Sequence, residues 1–480
     1  MSRTRSKRAG ARHAGLTRLR VGWRQLTPFT RGLCVFFLFN CVVLNVLLAV
    51  LPWTPRHLTA LHYTGGFILG QAAADSWEPM RLALDQFRAA PGKPLYSQLF
   101  FERHVKFIYP PTSLLLTRGL DRLLGAGSDH RRFLNGVSWI MVLAMAGVVA
   151  AVFWQSRRDN QREAVPLSPL DAMACSILAV AFTLTFYPVV KSFRLGQMQT
   201  WLNLLFAMTL WSWLRSREAA AGVLAGMICL VKPQHGVLLL WGISRRRWRF
   251  VLALAAVLLV AGTMSIAVFG LANCGDYVAV LSFLGQHGES FYPNQSVNGL
   301  LHRLLFNGDA LEWHPDVYPP FNLWVYSGTL ASSAVFIALC LFWRRGEHDR
   351  ASTTDLMIGL LTCTIASPLA WEHYYGVLLP IYAISLPALV RRPVYGTATL
   401  PMLGATYVLA SNYFGIAQQS AGTAFNLLQS YLLLAALAVL VSLYALRRAE
   451  AVAGAAGAAG ALASARESSW QDRGTGGGTG

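Results

Sequence analysis

The sequence predicts an all-α protein that crosses a membrane many times. Three observations support this fold class: 54% of the 480 residues are hydrophobic, only 13% are charged, and the mean hydropathy is +0.42. A soluble domain has about 25% charged residues, so this chain lacks the ionic surface that water requires. Its apolar residues also come in long blocks, and about 20 of them in a helix cross the hydrocarbon of a bilayer. A water-soluble enzyme and a disordered polymer are therefore excluded.

The excess of basic residues indicates membrane topology rather than nucleic-acid binding. The chain has 41 Lys and Arg against 22 Asp and Glu, a formal net charge of +19. Much of this excess lies beside apolar blocks, where Lys and Arg mark cytoplasmic loops and are attracted to anionic lipid. We therefore expect membrane lipids, and no nucleic acid, as partners. The seven cysteines form no CxxC motif and lie mostly in apolar blocks, which is typical of core residues rather than of a metal site.

Ten apolar blocks are predicted to span the membrane. The first, 33–52, follows a basic arm (1–32) that has nine Lys and Arg and no acid before residue 32, which predicts a retained span and a cytoplasmic N-terminus. Basic clusters at later block ends fall in the cytoplasm if the spans alternate. The other predicted spans are 135–154, 171–190, 197–214, 250–272, 321–343, 354–370, 374–390, 395–413 and 425–446.

The segment 219–243 does not fit this alternation as a single span. A full span would move the densest basic cluster, Arg245 to Arg249, to the outer side. The segment also contains Lys232-Pro233-Gln234-His235-Gly236, which is unfavourable in hydrocarbon. Two short half-helices that enter and leave on the same side restore the alternation, and such broken helices line protein cavities. We therefore predict a re-entrant helix pair with polar residues at its tip.

Two long segments, 53–134 and 274–320, then face outward, the first with interfacial helices near 76–90 and 112–124. Residues 447–480 are rich in Ala and Gly, which predicts a disordered cytoplasmic tail. Residues 33–446 are thus predicted to be the functional domain. No nucleotide-binding loop or internal repeat is visible in the sequence, which argues against an ATP-driven pump.

Unusual polar residues fall at the outward ends of the predicted spans, where ionisable groups are costly unless they meet in a wet cavity. Together they provide a carboxylate, cations, amides and aromatic rings, which suits a ligand with sugar hydroxyls and phosphate. No metal-ligand cluster is visible among them. The candidates are Asp75, Tyr109, Arg194, Gln197, Lys232, His235, Asn294, Gln295, Trp371, His373 and Tyr374.

Each candidate also has a purely structural interpretation. Asp75 can cap the helix that follows it, and Tyr109 precedes two prolines that can simply begin a helix. Arg194 can extend to the lipid surface from a span end, and His373 can belong to an interfacial aromatic belt. Lys232 is the hardest to explain structurally, because the topology places it deep in the protein.

Short sequence strings that contain these residues, taken in order along the chain, resemble those of glycosyltransferase family 87. This family consists of integral-membrane enzymes and includes polyprenol-phosphate-mannose-dependent α-1,2-mannosyltransferases. The resemblance covers about residues 33–446. It rests on Asp75, Gly92-Lys93-Pro94-Leu95-Tyr96, Phe107-Ile108-Tyr109-Pro110-Pro111, Gly196-Gln197, Lys232-Pro233, Asn294-Gln295-Ser296 and Ser367-Pro368 followed by Trp371, His373 and Tyr374.

The resemblance implies a C-type glycosyltransferase fold, with the active site at the outer face of a bacterial inner membrane, and an inverting reaction. It implies that the donor is a polyprenyl-phosphate sugar, with mannose as the first candidate, and that the acceptor is lipid-linked or a glycan. It implies no cofactor or metal. Asp75 would be the general base. The donor phosphate would be bound by Lys232, Arg194, His235 and His373, and the sugar or acceptor by Tyr109, Gln197, Asn294, Gln295, Trp371 and Tyr374.

Two departures from the family pattern leave alternatives open. Ser76 and Trp77 follow Asp75 where the family commonly has an aromatic residue and then Tyr, so Glu78 or Asp85 can replace Asp75 as the base. Glu372 is a further alternative. Gln199 stands where the family often has Asn, which allows arabinose or glucose as the sugar. A transporter or flippase would also need polar residues in the membrane, but it favours internal pseudo-symmetry. A non-catalytic scaffold would tolerate single replacements of the polar residues.

Overall fold

The computed structural model describes residues 23–125, 130–160, 168–314, 316–343 and 352–474. In these ranges the chain is helical and has no strand, and Asn294 and Trp371 form an isolated bridge. The all-α class is therefore confirmed. Residues 1–22 of the predicted basic arm lie outside the described residues, and its last residues, from Pro28, form the start of a helix.

We number the longer helices in chain order. They are α1 (Pro28–Val50), α2 (Ala60–Ile68), α3 (Trp77–Ala89), α4 (Leu114–Leu124), α5 (Arg131–Asn160), α6 (Pro169–Thr185), α7 (Tyr187–Arg194), α8 (Gln199–Leu214), α9 (Glu218–Cys229), α10 (Val237–Ser244), α11 (Trp248–Phe269), α12 (Leu271–His287), α13 (Val297–Leu304), α14 (Leu323–Phe342), α15 (Thr353–Ile365), α16 (Leu378–Arg391), α17 (Thr399–Ser411) and α18 (Tyr431–Gly474).

Within the described ranges, six helices are long and apolar enough to cross a membrane. They are Pro28–Val50, Arg131–Asn160, Trp248–Phe269, Leu323–Phe342, Glu372–Arg391 and Asn426–Gly454. Helices α6 and α7, bent by 53° relative to each other, add a seventh if they act as one span. Helices α8, α15 and α17 lie at predicted spans but have only 16, 13 and 13 residues. A multi-pass membrane protein is thus supported, whereas the predicted ten spans are not confirmed.

The segment 219–243 forms two short helices, α9 and α10, on either side of a turn that contains Lys232. The two ends of this hairpin meet, because the Arg247 guanidinium lies 2.9 Å from the Glu218 carboxylate. Helix α9 also lies directly against α11, since a Cβ atom at Gly222 would overlap the Phe250 carbonyl. The chain therefore turns back as predicted, with Lys232 at the far end of the hairpin from the arginine cluster.

The segments that are predicted to face outward pack on an apolar core of their own. Helices α3 and α4 lie where interfacial helices are predicted, and residues from both join aromatic side chains of the 95–109 segment and α12 in this core. Tyr109 belongs to it. At the other end of the chain, α18 continues to Gly474, into the segment for which composition predicts disorder. Alanine has the highest helix propensity of the amino acids, which favours this extension.

Candidate active site

A backbone pairing between residues 73–76 and 194–196 positions the first candidate residues. Gly196 makes this pairing possible, because it has φ of +66° and a Cβ atom there would overlap the Ala73 carbonyl. Only glycine combines that conformation with such a close approach. The backbone N–H groups of Ala73, Asp75 and Ser76 donate to the carbonyls of Arg194, Leu195 and Gly196 at 2.9, 3.0 and 3.2 Å.

The pairing brings Gln197 against Asp75. The Gln197 Nε2 amide donates to the Asp75 carboxylate. Its Oε1 atom lies 2.8 Å from the Ser76 hydroxyl and 3.0 Å from the Tyr109 hydroxyl. Because these hydroxyls can donate to an oxygen, they fix the orientation of the amide. Gln197 therefore holds the Asp75 carboxylate in one position.

Asp75 is accessible, yet it is surrounded by protein. The surrounding protein keeps water away from the Asp75 carboxyl, and this desolvation raises its pKa. The hydrogen bond from Gln197 partly opposes the rise. In the described ranges no cationic side chain pairs with it. Glu78 and Asp85, the alternative bases, both pair with Arg81 on α3, at 2.6 and 3.0 Å. Their negative charges are therefore already compensated, which favours Asp75 as the base.

Lys232 supplies a buried amine that is connected to this carboxylate through Tyr374. Its side chain is 6% exposed, and its Nζ has no hydrogen-bond partner among the described residues. The ammonium lies over the ring of Tyr374, whose hydroxyl interacts electrostatically with Asp75 and the Tyr109 hydroxyl. An uncompensated buried charge is costly. An anionic ligand beside Lys232 would remove that cost.

Two histidines adjoin Lys232. Both ring nitrogens of His235 and the Nε2 atom of His373 are buried without a hydrogen-bond partner in the described part of the chain. Each imidazole interacts electrostatically with the Lys232 ammonium. The structure thus brings together most of the predicted residues: Asp75, Tyr109, Gln197, Lys232, His235, His373 and Tyr374.

Asn294 has a structural role instead. Its Nδ2 donates to the carbonyls of Glu289 and Pro368, at 2.9 and 3.2 Å, and its Oδ1 accepts from the Ala370 N–H at 2.9 Å. The side chain is fully buried. It therefore holds the loop that precedes His373 and does not face the group around Asp75.

Gln295 is used in the same way. Its Nε2 donates to the carbonyls of Tyr292 and Gln429, both at 2.7 Å, and its Oε1 accepts from the Leu433 N–H at 3.2 Å. Arg194 also lies apart, because its side chain crosses α2 at Gly66. Trp371 is half-buried beside the bridge to Asn294.

A buried ion pair behind the candidate site escapes sequence reasoning. The Lys191 ammonium pairs with the Glu372 carboxylate, and the Tyr187 hydroxyl lies 3.0 Å from the first and 3.1 Å from the second. Glu372 is fully buried next to His373. The signal available in the sequence was a lysine at the end of an apolar block and an acid at the start of another. The pair ties α7 to the loop that carries His373 and Tyr374.

Comparison with known proteins agrees with these features. Residues 107–368, more than half of the chain, match the sequence profile of glycosyltransferase family 87. The chain is 26% identical over 362 residues to an α-(1→3)-arabinofuranosyltransferase of Mycobacterium tuberculosis, found in strains CDC 1551 and H37Rv; the match covers 72% of this chain and 76% of that enzyme. No solved structure matches. The chain therefore belongs to glycosyltransferase family 87 and is a membrane glycosyltransferase.

Proposed function

We propose that the protein transfers a sugar, with inversion, from a polyprenyl-phosphate donor to a lipid-linked or glycan acceptor at the outer face of the membrane. The observation that carries this proposal is that Tyr374 connects two groups that have no counter-ion among the described residues: the accessible carboxylate of Asp75 and the buried amine of Lys232. An inverting displacement needs a base on one side of the sugar and a phosphate-binding group on the other.

In the proposed reaction, the acceptor hydroxyl attacks the anomeric carbon while Asp75 accepts its proton. The bond between that carbon and the phosphate oxygen breaks on the opposite face, and polyprenyl phosphate leaves with the bonding electrons. Lys232, assisted by His235 and His373, stabilises the negative charge that develops on the phosphate. A carboxylate is a weak base, but the hydroxyl proton becomes acidic as the new bond forms, so positioning by Gln197 supplies much of the effect.

The sugar is the finer part of the proposal. The relative named as an α-(1→3)-arabinofuranosyltransferase matches most of the chain, which favours arabinofuranose as the first candidate. The resemblance of the motifs to mannosyltransferases supports mannose as the second. No metal or nucleotide cofactor is proposed. We place both termini in the cytoplasm, as the basic clusters favour, and we place the protein in a bacterial inner membrane on the basis of the family resemblance.

Transfer assays in membranes test this proposal. Wild type and Asp75→Asn are supplied with radiolabelled polyprenyl-phosphate arabinose or mannose, and product is measured. We expect wild type to use one donor and Asp75→Asn to lose at least about a hundredfold in rate while still binding donor. The matched control is Asp85→Asn, which removes a carboxylate already paired with Arg81 and should retain transfer.

The alternative outcomes separate the base from the class of protein. Equal transfer by wild type and Asp75→Asn would reject Asp75 as the base. If wild type transfers neither sugar but moves labelled lipid across vesicles, the transporter interpretation replaces ours. A Lys232→Met variant that binds donor as tightly as wild type would reject the phosphate site.

A further inference from the structure

An apolar cavity opens beside the start of α1, at the end of the fold away from Asp75. It has a volume of about 500 Å³ and lies between α1, α5, α6, α16 and α17. Aliphatic and aromatic side chains line most of it, among them Leu33, Phe36, Phe153, Phe182, Leu379 and Leu403. An apolar cavity does not hold ordered water. Its occupant must therefore be apolar where it enters the protein.

Two helical glycines create part of this space. Gly32 and Gly404 both line the cavity. A Cβ atom at Gly32 would meet nothing within 4 Å, and one at Gly404 would meet only Phe36, at an ordinary 3.5 Å. Glycine inside a helix costs about 0.5–1 kcal/mol relative to alanine. Neither close packing nor an unusual φ requires glycine at these two positions, and both leave room for a ligand.

A positively charged side chain, that of Arg31, lies beside the opening of the cavity. A shallower hollow, of about 700 Å³, shares Pro28, Gly32 and Phe36 with it and is also lined by Trp23 and Arg31. The Nε atom of Arg31 is buried and has no hydrogen-bond partner within the described residues.

The neighbouring Arg157 differs from Arg31, because it pairs with Asp171 at 3.1 Å. An unpaired guanidinium at an apolar opening suits an amphiphile with an anionic head, since arginine binds phosphate through two parallel hydrogen bonds.

We propose that the cavity binds one acyl chain of an anionic phospholipid, whose phosphate pairs with Arg31. This lipid is distinct from the sugar donor. The donor phosphate is proposed to bind at Lys232, whereas Arg31 lies in the first turn of α1, a helix of 23 residues whose other end leads into the segment that carries Asp75. At about 1.5 Å per residue the helix is as long as the hydrocarbon core is thick, so one phosphate cannot reach both sites. The lipid fills the space between α1 and its neighbours and fixes α1 in place.

Lipid binding to the purified full-length protein tests this inference. The delipidated protein in detergent is titrated with phosphatidylglycerol, with phosphatidylcholine of the same acyl chains, and with polyprenyl phosphate. Binding is measured by native mass spectrometry and by the shift in unfolding temperature. We expect phosphatidylglycerol to bind most tightly. Arg31→Gln should weaken it at least about tenfold, because the charge-assisted pairing with the phosphate is lost, and Gly32→Leu should remove binding by filling the cavity.

Matched controls keep the test specific. Arg24→Gln removes a nearby arginine that does not line the hollow, and Gly262→Leu fills open space on α11; both should bind lipid as wild type does. Without lipid, Gly32→Leu should unfold no earlier than wild type, and Gly404→Leu serves as a second filling variant.

Three results would overturn the proposal. If phosphatidylglycerol and phosphatidylcholine bind equally tightly and Arg31→Gln changes neither affinity, Arg31 does not bind the lipid headgroup. Wild-type binding by both filling variants would remove the cavity as the site. Preferential binding of polyprenyl phosphate, weakened by Arg31→Gln, would assign the site to the donor lipid instead.

Discussion

The pKa of the Asp75 carboxyl is under two opposing influences. The surrounding protein raises it above its ordinary value by removing water, and the hydrogen bond from Gln197 lowers it. A general base must be ionised to accept a proton. Transfer should therefore decline as the pH falls through this raised pKa, and the position of that decline reports on Asp75.

Gln197→Leu tests this link. Without the amide the lowering influence is lost, so the pKa of Asp75 should rise further and the acid limb of the pH–rate profile should move to higher pH. The carboxylate also loses its fixed position, and we expect kcat to fall about 10- to 100-fold with a smaller change in KM. Rates measured from pH 4 to 9 check both effects.

The control for Gln197 is Gln86→Leu, which removes an amide that pairs with Gln98 within the segment 53–134. It should leave the pH profile unchanged. A Gln197→Leu profile that superimposes on wild type would mean that another group titrates in the reaction.

Asp75→Asn, which lowers activity, should leave the stability of the fold unchanged or increase it. A carboxyl whose pKa is higher in the folded than in the unfolded state binds more protons when folded, so its ionisation destabilises the fold above the unfolded pKa. At neutral pH the neutral amide avoids this penalty. Asp75→Asn should therefore unfold at a temperature equal to or above that of wild type at pH 7, and thermal unfolding measures this. A lower unfolding temperature would mean that the carboxylate stabilises the local structure.

At the scale of elements, the pairing of 73–76 with 194–196 depends on Gly196. In Gly196→Ala the left-handed conformation costs about 1–2 kcal/mol, and the new methyl group overlaps the Ala73 carbonyl. The two segments must then separate, so the Gln197 amide no longer donates to the Asp75 carboxylate. We expect transfer to be abolished and the unfolding temperature to fall. Gly92→Ala, where a Cβ atom meets nothing within 4 Å, should behave as wild type; equal loss in both variants would contradict the role given to Gly196.

The buried Lys191–Glu372 pair connects α7 to the loop that carries His373. Removing one partner leaves an uncompensated buried charge, which typically costs about 3–5 kcal/mol. Lys191→Met and Glu372→Gln should each lower the unfolding temperature strongly, whereas the double variant should recover much of the loss. A double-mutant cycle measured by unfolding gives the coupling. Additive losses would show that the two charges act independently.

At the scale of the whole molecule, the sequence predicted where helices lie better than how many cross the membrane. Apolar blocks mark helices buried in protein or in lipid alike, so α8, α15 and α17 could not be distinguished from full spans. The hairpin around Lys232 was predictable because a continuous span would have placed Arg245–Arg249 on the wrong side. That argument needs only charge and length.

The candidate site was predictable only in its residue types. Charge alternation located Lys232, but the network of Ser76, Tyr109 and Gln197 depends on segments about 120 residues apart that pair through the backbone. Asn294 and Gln295 were assigned to the ligand because amides bind sugar hydroxyls. Amides bind loop carbonyls equally well, and only the packed structure shows which partner they have.

The Asp75 site lies at one end of the molecule and the basic loops lie at the other, and the side of the membrane that each end faces can be measured. Helix α6 begins at the Asp171–Arg157 pair, and α7 ends at Arg194, whose carbonyl joins the pairing beside Asp75. Basic loops stay cytoplasmic, so the Asp75 end should face outward. Single cysteines at Lys93 and Arg217, both exposed, are introduced after Cys34 and Cys274 are replaced by Ser. A membrane-impermeant maleimide should label Lys93→Cys in intact cells and Arg217→Cys only after permeabilisation. The reverse pattern would place Asp75 in the cytoplasm and contradict transfer at the outer face.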